Sequence, residues 1–98
     1  MQGDEIIGRV VVSLAGRDAG RSFMAVAAID AEHLAVADGK LRKIERPKKK
    51  KRKHIRIENA FDERIKEALL RGERVLDADI RKSLRKLGYD QEPETKEG

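Results

Sequence analysis

Between Gly8 and Ala37 the apolar residues fall in three short bursts separated by glycine and polar positions. The first, GRVVVSL over 8–14, is rich in β-branched residues and is followed by the turn sequence AGRDAG. The second, RSFMAVAAI, alternates apolar and small residues toward Asp30, and the third, HLAVA, ends at Asp38-Gly39. Short β-branched runs bounded by turn residues predict strands, and Asp-Gly predicts a type I′ hairpin because both residues tolerate positive φ. A fourth strand is expected in KLRKIE over 40–45, with Leu41 inward and Ile44 beside it; Pro47 then ends it, since proline donates no backbone hydrogen bond. His54-Ile55-Arg56-Ile57 alternates again and is expected to close a small curled antiparallel sheet or barrel.

Beyond residue 58 the period changes. In NAFDERIKEALLRG, Phe61, Ile65, Ala68 and Leu69 recur at helical spacing, with Asn59 as the expected N-cap, Asp62 and Glu63 in the first turn and Arg71-Gly72 as the stop. In LDADIRKSLRKLGYD, Ile80, Leu84 and Leu87 form one face, Asp77 is the expected cap, and Arg81, Lys82, Arg85 and Lys86 lie toward the C-terminal end before Gly88. The two helices are expected to pair as a hairpin whose core includes Phe61, Ile65, Leu69, Ile80, Leu84 and Leu87, and to cap one end of the barrel. The division expected is a β domain over 1–58 with a basic loop at 46–54, a helical extension over 59–88, and a disordered acidic tail over 89–98.

Charge adds what hydropathy does not. The 98 residues carry a net charge of +5, yet residues 40–57 hold eleven Lys and Arg against Glu45 alone, a local charge of +10 that leaves −5 for the remainder. A stripe this positive on an otherwise acidic chain is suited to meet a polyanion at a defined place. The lysines of RPKKKKRKH are expected to repel one another and hold an open loop, each contributing one ionic contact among several. No cysteine is present, which excludes disulfides, thiolate metal sites and cysteine nucleophiles. Without a long apolar run or a leader-like start, the chain is expected to be soluble and cytoplasmic.

Gly8, Gly16 and Gly20 stand at offsets of zero, eight and twelve in GRVVVSLAGRDAGR, followed by Arg21 and, further on, Val26. With AVADG and the basic run directly after it, this resembles the KOW motif, and in particular the archaeal and eukaryotic large-subunit ribosomal proteins of type fourteen-e and their short bacterial relatives. Phe23 stands where many KOW motifs have a further glycine, and Ala19 replaces a frequent lysine. The resemblance covers about residues 6–57. It implies an α+β fold, namely an SH3-like antiparallel β-barrel with a C-terminal helical hairpin, and binding to structured RNA, ribosomal RNA above all, with ribosomal proteins as further partners. It also implies ribosome association.

The candidate RNA-binding residues are Arg17, Arg21, Lys40, Arg42, Lys43, Arg46, Lys48, Lys49, Lys50, Lys51, Arg52, Lys53, His54 and Arg56. Arginines grip phosphate with a planar fork, whereas lysines act as mobile point charges. With only Phe23, Phe61 and Tyr89 aromatic, stacking of unpaired bases is disfavoured relative to shape and phosphate contact in folded RNA. The alternative is a protein-interaction module of a transcription or translation complex, with the basic run as a solvated face. Nuclear import and anionic membranes also attract basic strings, but this one is embedded between structured elements and has no apolar face beside it. His33 and His54 are far apart, Asp77 and Asp79 lie in no metal loop, and no phosphate loop or nucleophile elbow occurs, so neither catalysis nor a metal or other cofactor is expected. The free chain is expected to be monomeric.

Overall fold

The computed structural model describes residues 5–89; the expected acidic tail, apart from Tyr89, lies outside them. Val10, Val11 and Val12 form the middle of strand β1 (Arg9–Ser13), and successive side chains leave it on opposite faces. Val11 pairs with Phe23 and Val10 with Met24 of β2 (Ser22–Ala28), and all four are buried. A sheet covered on both faces requires continuous apolar runs in its interior strands, which explains the three successive valines of β1. β3 (His33–Ala37) pairs antiparallel with β2, and β4 (Lys48–Lys51) pairs with β3. A single 3-10 turn over Arg52–His54 leads into β5 (Ile55–Phe61), which returns to pair with β1. The strand order is β4-β3-β2-β1-β5, antiparallel throughout.

One face carries Val11, Phe23, Ala25, Leu34 and Val36, packed with Ile6, Ile7 and Ile55. The other carries Val10 and Met24, covered by Ile65 of α1 (Glu63–Leu70), by Val75, and by Ile80 and Leu84 of α2 (Asp77–Lys86). Each such buried side chain stabilises the fold by about 1.5–3 kcal/mol relative to exposure. Sheet and helices therefore share one of the two cores. The α+β architecture follows, with the helices lying over a sheet face rather than capping an end.

Three expectations change. Residues 40–45 form no strand; the fourth strand is the lysine run itself. Local Asp-Gly turn chemistry is overridden by contacts from afar. The Asp38 carboxylate accepts from the Lys40 and Arg42 amides, both at 2.9 Å, so the chain winds around an aspartate instead of reversing in two residues. The excursion is then tied to α2, where Asp77 Oδ1 accepts from the Ile44 amide at 2.7 Å and Arg81 donates to the Gly39 carbonyl at 2.8 Å. Pro47 consequently precedes a strand rather than ending one.

The helix starts also shift. Asn59 lies in β5, and Asp62 caps α1 by accepting from the Arg64 and Ile65 amides. Phe61 lies in the same strand, 46% exposed, and is absent from the helical core. Leu76, not Asp77, occupies the cap position of α2, and Asp79 Oδ2 accepts from its amide. Helical spacing alone cannot distinguish a half-exposed strand end from a first helical turn, and any of the acidic residues near a helix start can cap it.

Gly39 illustrates how tightly the excursion is seated. Its φ is +79°, and a Cβ there would stand 2.4 Å from the Asp77 carbonyl oxygen and 2.9 Å from Arg81 Cγ. Gly39→Ala is therefore expected to destabilise the protein by more than the roughly 1–2 kcal/mol that positive φ costs an L residue. Gly16→Ala, with φ +78° and no neighbour within 4 Å, should incur the backbone term only. Paired urea titrations would measure the difference.

Asp62 gives a pH signature. Burial alone would raise its pKa, but the Ser83 hydroxyl, the Ile65 amide, Lys86 and the Arg64 amide outweigh it and hold the carboxyl below the ordinary 3.8. A carboxylate depressed in the folded state contributes stability above the unfolded value and loses it as pH falls through the folded one. Asp62→Asn should be less stable than wild type by about 1–2 kcal/mol at neutral pH. The gap should close on acidification below 3.8, measured by urea midpoints across the series.

Candidate nucleic-acid interface

Four identical lysines acquire two different environments because β4 is a strand. Lys48 pairs with Val36 and Lys50 with Leu34, so both project onto the face that holds the Phe23 core, where their aliphatic stems can cover it. Their ammonium groups reach the β1–β2 loop: Lys48 Nζ is 3.4 Å and Lys50 Nζ 3.8 Å from Asp18 Oδ2. Lys50 Nζ also donates to Ser13 Oγ at 2.9 Å. The Lys50 side chain is 10% exposed, so it is not the freely solvated contact expected from the basic run. Lys49 and Lys51 leave the opposite side of the strand and are exposed.

The same corner holds a second buried carboxylate. Asp38 is 1% exposed, and Arg21 Nη2 lies 3.6 Å from its Oδ2. Arg21 is thus committed to an internal ion pair at the base of the loop that carries Gly16 and Gly20, while Arg17 is exposed at its tip beside Asp18. Gly8 sits at the other end of β1, where its carbonyl accepts from the Asp62 amide at 2.9 Å.

The remaining candidates divide by exposure. Lys40, Lys43, Arg46 and Lys53 are exposed and Arg42 is half-buried. Arg52 is half-buried in the 3-10 turn, with its amide donating to the Glu32 carbonyl at 2.8 Å; the His54 carbonyl accepts from Leu14 at 2.8 Å, which fixes that turn against β1. Arg56 is exposed and donates to Glu58 at 2.6 Å, and Tyr89 donates to the same carboxylate at 3.0 Å. These hydrogen bonds, that of Arg56 first, hold Glu58 below the usual carboxylate range, and Glu58 in turn raises the Tyr89 phenol. An exposed pair of this kind adds little stability. His33 is half-buried at the start of β3, with Nδ1 2.9 Å from Asp30 Oδ1.

The structure therefore brings Lys48, Lys50 and Asp18 of the β1–β2 loop together, and separates an inward set (Lys48, Lys50, Arg21) from an outward set (Lys49, Lys51, Lys53). None of the ion pairs among the described residues involves the outward set. Ser13, Asp18 and Asp38 escaped the sequence reading. A lone aspartate in a glycine-rich loop looks like turn chemistry, and only the strand pairing shows that it meets lysines some thirty positions away. No family model matches the chain, and comparison with curated proteins finds no match.

Among the described residues, no helix is long and apolar enough to cross a membrane, and no three His, Asp or Glu side chains gather as a metal-binding group. Asp38→Ala would leave the Lys40 and Arg42 amides and the Arg21 guanidinium without their buried acceptor. We expect a loss of about 2–3 kcal/mol in urea unfolding, and a clearly smaller loss for Asp30→Ala at an exposed turn.

Proposed function

We propose that this chain binds structured RNA, ribosomal RNA first among candidates, as a non-catalytic ribosomal or ribosome-associated protein. The observation that carries the reading is the outward row of Lys49, Lys51 and Lys53, flanked by exposed Lys43, Arg46 and Arg17, on a rigid strand and its adjoining turns. An edge strand is protected against unwanted pairing by one or two lysines. The number of exposed cations here exceeds that need and suits a phosphate backbone, whose neutralisation releases counterions.

In this reading the sheet is a small SH3-like barrel of KOW type. The strand order and the 3-10 turn that joins the two edge strands support it, as does the contact of Lys50 with Ser13 and Asp18 across the inner face. The ribosomal partner rests on the sequence resemblance. The aromatic residues favour phosphate and shape over base stacking, since Phe23 is buried and Tyr89 is engaged with Glu58, which leaves Phe61 as a single exposed ring.

A second reading, a protein-interaction module, draws on an open cleft of about 400 Å³ between the helices, with Ile65, Ala68 and Val75 in its lining and Arg64, Arg74 and Lys82 around them.

The two readings separate in a titration of a labelled ribosomal RNA hairpin over a salt series, read by fluorescence anisotropy. Five or so phosphate contacts predict a slope of log affinity against log salt of about −4. The K49E/K51E/K53E variant should bind at least about 100-fold more weakly at low salt. Undiminished binding by that variant would exclude this surface, and absence of binding by wild type would leave the helical cleft as the site to pursue.

A further inference from the structure

We propose that Asp18 is the residue that sorts the basic run. Building on the RNA-binding reading, it clamps Lys48 and Lys50 inward so that only the alternate lysines, Lys49 and Lys51, form the phosphate track on β4.

The argument begins with the sequence KKKK, in which nothing distinguishes one lysine from the next. The strand pleat divides them into two sets, but a lysine side chain is long enough to bend back toward solvent and recover its hydration. Something must therefore hold the inward pair. Asp18 is 7% exposed and faces both ammonium groups from the β1–β2 loop, while Ser13 gives Lys50 a hydroxyl acceptor at 2.9 Å. The exposures follow this order: the Lys48 side chain is 33% exposed and Lys50 is 10%.

Asp18 Oδ2 is buried without a hydrogen bond, so the charge of the two ammonium groups is what compensates its desolvation. One carboxylate attracts both ammonium groups, which offsets part of their mutual repulsion and leaves a local net charge of +1. The loop that presents Asp18 is shaped by its own backbone, with the Gly20 amide donating to the Ser13 carbonyl at 2.7 Å and the Arg21 amide to the Asp18 carbonyl at 2.8 Å. Asp18 therefore meets the two lysines from a preset turn.

The consequence for binding is a linear track. Residues i and i+2 of a strand lie about 6.6–6.8 Å apart on one face, which makes Lys49 and Lys51 successive contacts along a polyanion rather than two ligands of one small anion. Of the four lysines, two contribute to the salt dependence of RNA binding and two do not.

Amine acetylation read by mass spectrometry tests the clamp without RNA. In the native protein Lys50 should be the least reactive, Lys48 intermediate, and Lys49, Lys51 and Lys53 fast; in Asp18→Asn, with the fold verified by circular dichroism, Lys48 and Lys50 should approach the fast group. Equal reactivity of all five in wild type, or unchanged protection in Asp18→Asn, would overturn the clamp. The salt series tests the track. K49Q/K51Q should flatten the slope by about 1.5–2, whereas K48Q/K50Q/D18N, which leaves no buried carboxylate unpaired, should keep the wild-type slope. Equal flattening by the two variants would overturn the division. Absence of RNA binding by wild type would remove the RNA reading and the track with it, while the acetylation pattern would still decide whether Asp18 holds the inward lysines.

Discussion

The structure turns on burying both faces of a five-stranded sheet in a chain of 98 residues. Val10 and Val11 are each wholly buried, on opposite sides, and this demands two separate coverings. The helices supply one, through Ile65, Ile80 and Leu84. Ile6, Ile7 and Ile55 supply the other. Lys48 and Lys50 of β4 lie on the side of this second core, opposite Val36 and Leu34.

Buried carboxylates do much of the positioning. Asp38 organises the excursion after β3, Asp62 joins the start of α1 to Ser83 of α2, and Asp18 ties the first loop to β4. Asp38 and Asp62 accept from backbone amides that would otherwise lack a partner, and Asp18 faces two ammonium groups, which makes a polar chain with 42% charged residues able to order its loops without a large apolar interior. The acidic remainder of the sequence is thus partly structural rather than a solvated counterweight to the basic stripe.

The three early strands were legible because β-branched runs separated by glycine carry their own signal, and both helices were legible from Ile65, Ile80 and Leu84. The identity of the fourth strand was not. KLRKIE has a strand-like pattern and KKKK has none, yet Asp77 and Arg81, more than thirty residues away, hold the first segment in an irregular path and leave the second to pair with β3. Asn59 and Phe61 misled for a related reason: a helix-compatible spacing continued backward into β5. At the candidate interface the stripe itself was readable from charge, but the distinction between Lys49 and Lys50 exists only once a pleat is imposed on four identical letters.

The bonds from Ile44 to Asp77 and from Arg81 to Gly39 span 33 and 42 positions. During synthesis the chain emerges from its N-terminus, and the sheet-forming residues up to Phe61 are available well before Arg81. Until α2 has emerged and docked, the segment between β3 and β4 lacks the partners that shape it. The basic segment is thus made before the helix residues that fix the path leading into it, a separation in time between carrying charge and presenting it.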